Sequence, residues 1–170
     1  MRVDSRYLRS VTRADSDLIF NWRNLPEIVA LGASGRSVSW EEHEAWFARA
    51  VADHDGLLFL ILRDGEPVGQ LRFDPSGDGS AGGPSVAVIT IYLVGDHSGQ
   101  GLGSLALQRG CALAQEKWPG MQIFEARVLP TNAKAVRFFT ANGFSEESPL
   151  NDTGTDLRVF RLMPDKVEDL

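Results

Sequence analysis

One cysteine, Cys111, and three histidines are all that this 170-residue sequence offers in soft metal-ligand chemistry. A single thiol forms no internal disulfide and no multi-cysteine zinc site. His43, His54 and His97 lack the spacing that sets two imidazoles on one helical face, so no metal is expected. Long apolar runs are missing as well. Leu57–Leu62 is far short of the ~20 residues of a membrane helix. The opening residues MRVDSRYLRS carry no apolar stretch of the kind a secretion signal needs. A cytoplasmic setting with no membrane partner is expected. Positive charge is scarce too: 17 Lys+Arg stand against 23 Asp+Glu, a net −6. That balance argues against nucleic acid as a partner, because such binding is carried by cations on phosphates. What is present, 43% hydrophobic and 24% charged residues, is ordinary for one globular domain.

The pattern along the chain mixes both periodicities. Tyr7–Val11 alternates and reads as a short strand. Thr12 with Asp15 reads as a helix start, and the helix carrying Leu18, Ile19 and Trp22 is expected to end at Asn24-Leu25-Pro26; Leu31–Gly35 reads as a loop. Ser39 and Glu42 form a capping box for a helix from Trp40 to about Ala52, with Trp46, Phe47 and Ala50 facing the core. Leu57–Arg63, the hairpin signal Asp64-Gly65 and Pro67–Asp74 predict an antiparallel pair. Pro75–Pro84 reads as a polar loop, and Ser85–Leu93 as a central strand. Then come a long helix (Gly101–Trp118), a strand (Met121–Leu129), a helix (Asn132–Asn142) capped by Gly143, and a last strand (Leu157–Met163). Pro164–Leu170 reads as an acidic, frayed tail. The order implies a mixed α+β domain over residues 1–164 with about four helices, followed by the tail 165–170.

The segment His97-Ser-Gly-Gln-Gly-Leu-Gly-Ser104 follows a buried strand and opens the longest helix. Its alternating glycines leave backbone N–H groups uncovered at a helix N-terminus, where dipole and unpaired donors both favour an anion such as a pyrophosphate. It is not a P-loop, since no Lys follows Gly103, and its G-x-G-x-G spacing is not the dinucleotide fingerprint. The run Leu93–Leu107 resembles motif A of the GNAT superfamily of acyl-CoA-dependent N-acyltransferases. The run Val128–Phe144, in which Asn132 opens a helix ending in Gly143-Phe144, resembles their motif B.

That resemblance implies a mostly antiparallel mixed sheet, splayed between the strands at 85–94 and 121–129. Acetyl-CoA would be the co-substrate, its pantetheine arm lying along Tyr92–Val94. Its pyrophosphate would rest on the amides of Gln100, Gly101, Leu102, Gly103 and Ser104, with Ser98 and Gly99 also on the cofactor side. Asn132, Lys134 and Phe139 would complete the cofactor side, with Arg137 a further cation. A backbone N–H at Leu93 or Val94 would face the developing oxyanion. The sequence departs from the family pattern at Ser98, usually Gln or Arg, and at Phe139, where many members carry a Tyr that protonates the leaving thiolate. For the base that takes the amine's proton, His43, Tyr92, Asp74 and Glu125 are all candidates. Cys111, mid-helix among Ala and Leu, reads as a small buried hydrophobe.

On the acceptor side, Ser37–Phe47 and Gly69–Asp74 look like the subgroup that acetylates nucleotide-linked amino sugars, of the pseudaminic-acid-pathway type. Arg23, Trp40, His43 and Arg72 are the candidate acceptor contacts: Trp40 to stack on a base or sugar, the arginines (with Arg36) to meet a diphosphate. Another amine (a protein N-terminus, an antibiotic, a polyamine) and a non-catalytic acyl-CoA-binding module remain as alternatives. A monomer or homodimer is expected. The charge is also uneven: Gly99–Gly143 holds five basic and two acidic residues, a local +3 in a chain of −6. A small polyanion is therefore compatible with a chain that repels large ones.

Overall fold

A computed structural model describes residues 6–32, 34–52, 56–77, 83–147 and 156–169. Seven strands form one sheet: β1 (Leu8–Ser10), β2 (Leu57–Arg63), β3 (Glu66–Ser76), β4 (Val86–Leu93), β5 (Ile123–Val128), β6 (Ser145–Glu146) and β7 (Arg158–Leu162). Their spatial order is β1-β2-β3-β4-β5-β7-β6, with every neighbouring pair antiparallel except β4 and β5. Five helices accompany them: α1 (Ser16–Arg23), α2 (Pro26–Leu31), α3 (Trp40–Ala52), α4 (Leu102–Lys117) and α5 (Ala133–Ala141). This is the α+β architecture expected.

Strand alternation sends side chains to two cores. On one face Phe59, Ile61, Leu71, Phe73, Ile89 and Phe124 pack with Leu107, Cys111 and Leu113 of α4 and Phe139 of α5. On the other, Leu60 and Leu62 pack with Ile19 and Trp22 of α1 and Phe47 of α3. α4 lies close enough to the sheet that a Cβ on Gly110 would press into Leu71 and Phe73.

The feature that positions the site is the parallel junction. β4 pairs with β3 along its whole length, from Val86↔Ser76 to Leu93↔Gly69. With β5 it pairs only from Val86↔Ile123 to Ile89↔Ala126. β5 itself continues with β7 as far as Val128↔Arg158. From Thr90 onward the sheet is therefore split, as the resemblance implied.

The structure departs from the local reading in three places. α1 ends before Pro26 as expected, but the residues between it and the expected loop at Leu31–Gly35 form α2, which Pro26 opens, because a proline at the first helical position loses no hydrogen bond. The described residues therefore hold five helices, where about four were expected. β3 runs through Pro75 to Ser76, two residues into the expected loop. Alternation along the β3–β4 ladder directs Pro75's nitrogen away from β4, to the side where β2 has already ended at Leu57. The rest of that loop is outside the description at 78–82. Finally, Pro164–Asp169 is not frayed: it forms 3-10 turns, Val167 is buried, and Gln115 Nε2 of α4 donates to the Pro164 carbonyl at 2.8 Å.

Candidate active site

A cleft of about 540 Å³ runs through the split in the sheet. Ile89 and Ile91 of β4, Val128 of β5 and Asn132, Ala135 and Phe139 of the α5 segment line one end. Gln70 and Arg72 of β3, Thr90 and Tyr92 of β4, Arg23 of α1 and Trp46 of α3 line the other, under Ile28, Val29 and Leu31. The cleft thus opens on both faces of the sheet.

At the first end the backbone supplies the chemistry. Gly99 (φ 79°) and Gly101 (φ 78°) adopt the left-handed conformation, which L-residues with a Cβ rarely take. A Cβ at either would meet nothing within 4 Å, so the loop surface beside them is open. Gly101 is the N-cap of α4, and the first helical bond is Leu105 N–H to Gly101 C=O at 3.1 Å. The N–H groups of Leu102, Gly103 and Ser104 precede that bond and have no intrahelical acceptor. Gly103 has a packing reason to be small: its Cβ would sit 3.2 Å from the Phe138 ring. Gln100 is tied into the loop by Nε2 donating to the Asp96 carbonyl at 3.2 Å. Ser98 lies just before, at the end of the turn Gly95–His97. An anion-holding cradle of backbone donors is what this arrangement provides, so the residues fit a CoA pyrophosphate.

The two candidate oxyanion donors separate. Val94 N–H is engaged by the Val68 carbonyl at 2.9 Å. Antiparallel alternation then turns Leu93 N–H to the opposite side, which β5 has left. Asn132 caps α5, its Oδ1 accepting from Ala135 N–H at 3.0 Å, and lines the cleft. Phe139 is buried against Phe138 and Phe144 and brings no proton. Lys134 and Arg137 are exposed on α5 and do not line the cleft.

The second end is dominated by guanidinium groups. Arg23 and Arg72 both lie over the indole of Trp46, with Cζ 4.6 and 5.4 Å from the ring centroid. Burial and the neighbouring Arg72 lower the Arg23 pKa, opposed by Tyr92 and Glu42. Arg72 Nε donates to Asp74 at 2.8 Å. Arg36 forks onto Glu42 at 3.0 and 2.8 Å. With the Ser39 N–H, that fork holds Glu42 down to about 2 from its ordinary 4.5. The Ser39–Glu42 capping box read from the sequence is present in both directions. Asn24 pins the connecting segment by exchanging two hydrogen bonds with the Val38 backbone, at 3.0 and 2.8 Å. Tyr92 donates its hydroxyl proton to Gln70 Oε1 at 2.5 Å, and burial pushes its pKa well above the usual phenol range.

Several candidates fall elsewhere. His43 is fully buried between α1 and α3, not in the cleft. Its Nε2 meets the Ser16 carbonyl at 3.0 Å and the Ser16 hydroxyl at 3.1 Å, its ring stacks on Phe47, and Nδ1 has no partner. Burial lowers its pKa. It braces Trp46 (5.8 Å between centroids) rather than touching a ligand. Trp40, 41% exposed, sits edge-on to Phe20 outside the cleft. Six residues along a helix turn the side chain by ~120°, which is why Trp46 and not Trp40 reaches the site. Glu125 is buried and held by Arg127 (2.8 Å) and Arg161 (2.9 Å); it orients Arg127, which does line the cleft. Asp74 is bound to Arg72 and does not line the cleft. Trp46, Gln70, Arg127 and the apolar face of α2 were not anticipated as site residues. The polar residues Gln70, Arg72 and Asp74, every second position in a buried strand, were the available signal.

A split sheet with a glycine-rich helix N-terminus beside it defines an acyl-CoA-type transferase scaffold. Residues 6–145 match the acetyltransferase (GNAT) domain family, and the chain belongs to that family. By sequence, no curated protein matches it. Among solved structures it is similar to the aminoglycoside acetyltransferase AAC(6')-Ib in complex with coenzyme A: 21% identity, 96% of this chain and 97% of that one covered, TM-score 0.78. It is also similar to spermidine N-acetyltransferase from Vibrio cholerae in complex with CoA and spermine: 20% identity, 97% and 99% covered, TM-score 0.77. The same aminoglycoside enzyme with coenzyme A and kanamycin gives 22% identity, 96% and 97% covered, and a TM-score of 0.76. Among the described residues no helix is long and apolar enough to cross a membrane.

Proposed function

We propose that this GNAT domain transfers the acetyl group of acetyl-CoA to the primary amine of a nucleotide-linked amino sugar. The observation that carries the reading is the charge of the cleft wall. Arg23, Arg36, Arg72 and Arg127 line it, and no carboxylate does among the described lining residues. Spermine and kanamycin, found in the related structures, are polycations that such a wall repels. A diphosphate is attracted to it, and the indole of Trp46 offers a flat face for a sugar or base.

In this reading the loop from Ser98 to Ser104 holds the CoA pyrophosphate on backbone donors, with Gly99 and Gly101 keeping the approach clear. Leu93 N–H is aimed at the thioester carbonyl oxygen and stabilises the charge that grows there. The amine lone pair forms the new C–N bond, the C–S bond breaks, and the thiolate departs. Tyr92 keeps its proton at neutral pH, so it serves as a donor and not as a base. The amine's proton leaves to water, and with Phe139 in place of a Tyr the thiolate takes its proton from solvent.

The test is thiol release from acetyl-CoA with nucleotide-diphosphate amino sugars, free amino sugars, spermine and kanamycin. The expected result is a kcat/KM for the nucleotide-linked sugars at least 100-fold above that for spermine, roughly the worth of two charge-assisted hydrogen bonds. Preference for spermine or kanamycin overturns the acceptor class. CoA binding with no turnover on any amine leaves only an acyl-CoA-binding module.

A further inference from the structure

The four arginines of the cleft are not equivalent. Arg36 is ion-paired with Glu42, Arg72 with Asp74 and Arg127 with Glu125, each at 2.8 Å, although none of these carboxylates lines the cleft. Arg23 has no hydrogen bond to any carboxylate among the described residues. It lies over the Trp46 face at 4.6 Å, with a second guanidinium, Arg72, over the same ring. Arg72 spends Nε on Asp74 and keeps its terminal nitrogens for other partners. Two like charges thus converge on one aromatic wall, half-buried, with only Asp74 hydrogen-bonded to either of them.

We infer that Arg23 is the anion anchor of the acceptor site, binding a phosphoryl group of the acceptor's diphosphate over the face of Trp46 with Arg72 as its second arm. This rests on the reading of an anionic acceptor and names the residue that selects for it. With Cζ 4.6 Å over the indole and the side chain lining the cleft, the guanidinium has an N–H fork that a phosphoryl oxygen pair can take bidentately. A partly desolvated cation with no hydrogen-bonded carboxylate, only the through-space attraction of Glu42, is a cost in the free protein, and repulsion from Arg72 adds to it. A bound dianion relieves both. A purely structural arginine shows the opposite economy: it is paired at rest and its loss destabilises. A polyamine placed here would meet two guanidiniums and gain nothing.

The full chain, saturated with CoA so that the glycine loop is occupied, separates the possibilities. The probes are UDP, a hexosamine 1-phosphate, inorganic phosphate and spermine, read by calorimetry, with melting of the free protein alongside. The expected result is that UDP binds wild type and that Arg23→Gln weakens it about tenfold or more, one charge-assisted hydrogen-bond pair. Arg23→Lys should recover part of the loss, the point charge without the fork. The free Arg23→Gln protein should melt at the same temperature or higher, and its CoA affinity should match wild type. An Arg23→Gln protein that melts several degrees lower yet binds UDP as wild type does overturns the anchor and makes Arg23 structural. So does wild type that ignores UDP and hexosamine phosphate. If UDP binds through Arg23 but no nucleotide-linked amine is acetylated, the anchor stands and the proposed reaction falls. Acetylation of neutral amines without UDP binding overturns both the anchor and the anionic acceptor class, and leaves only the acetyltransferase.

Discussion

Gly69 is where fold and chemistry meet most tightly, and Gly69→Ala is the sharpest perturbation available. A Cβ at this position would lie 2.8 Å from Leu93 Cδ2, 3.1 Å from Leu93 Cα, and closer still to the Tyr92 carbonyl oxygen. The Leu93 methyl can swing away, but the Tyr92 carbonyl is backbone of a central strand. Reaching an ordinary C···O separation of ~3.3 Å requires the end of β4 to move by roughly 1 Å. Overpacking of this kind costs about 1–3 kcal/mol, offset by the ~0.4–1 kcal/mol that alanine gains over glycine through the unfolded chain. The net cost is thus up to ~2.6 kcal/mol, and at ~2–4 °C per kcal/mol for a domain of this size melting should fall by up to about 10 °C. Turnover should suffer more, because the displaced segment carries Leu93 N–H and Tyr92; a 1 Å misplacement near the reacting atoms costs on the order of 100-fold. Gly83→Ala is the control: its Cβ meets nothing within 4 Å, and its backbone is not left-handed. Melting by calorimetry, CoA affinity and kcat at saturation are the measurements. Gly69→Ala that melts with Gly83→Ala and keeps wild-type kcat would refute the claim that this contact sets the position of the β4 terminus.

Three further expectations concern single residues. Gly101→Glu puts a side chain and a negative charge beside the open loop surface, in a left-handed position, so CoA affinity should fall at least about 100-fold while circular dichroism stays native; unchanged CoA affinity would sink the cradle. His43 has a folded pKa below its ordinary 6.5, so the unfolded chain takes up its proton first as pH falls; melting should decline from about pH 6.5 downward, and His43→Phe should flatten that slope. A slope identical in the variant would exonerate His43. Glu125→Gln weakens the hold on Arg127 and Arg161, so KM for the acceptor should rise a few-fold and the acid limb of the kcat profile should persist. Loss of that limb would make Glu125 the base after all.

Much of the frame was readable because local backbone demands leave marks in composition. Gly99 and Gly101 are glycine where φ is positive, and the Ser39–Glu42 pair closes its capping box as spaced. The split between β4 and β5 followed from the two motifs, since each belongs to one leaf of it. Side-chain destinations were less readable. Whether Trp40 or Trp46 enters the cleft depends on how α3 is rotated against α1, which the heptad-scale pattern of α3 does not specify. Glu125 meets Arg161, 36 positions away, only because β5 and β7 are neighbours in register. His43, polar and one turn into a helix, reads as reactive until Ser16 and four aromatic rings are folded around it. Pro26 carries two opposite meanings, terminator and first residue, and only the extended Leu25 before it decides.

The four-residue parallel pairing of β4 with β5 has a dynamic consequence. It makes the sheet two antiparallel leaves bound along a short spine, one leaf holding β1 to β4 and the other β5, β7 and β6. Amide protons report on such a binding. Val94 N–H is held by Val68, whereas the N–H groups of Ile91 and Leu93, on the alternate register, look into the gap between the leaves. In the empty protein these two amides should exchange with solvent deuterium well ahead of their strand neighbours. A molecule laid between the leaves supplies the missing third strand, and slowed exchange at Ile91 and Leu93 alone marks its arrival, residue by residue, before any acetyl group has moved.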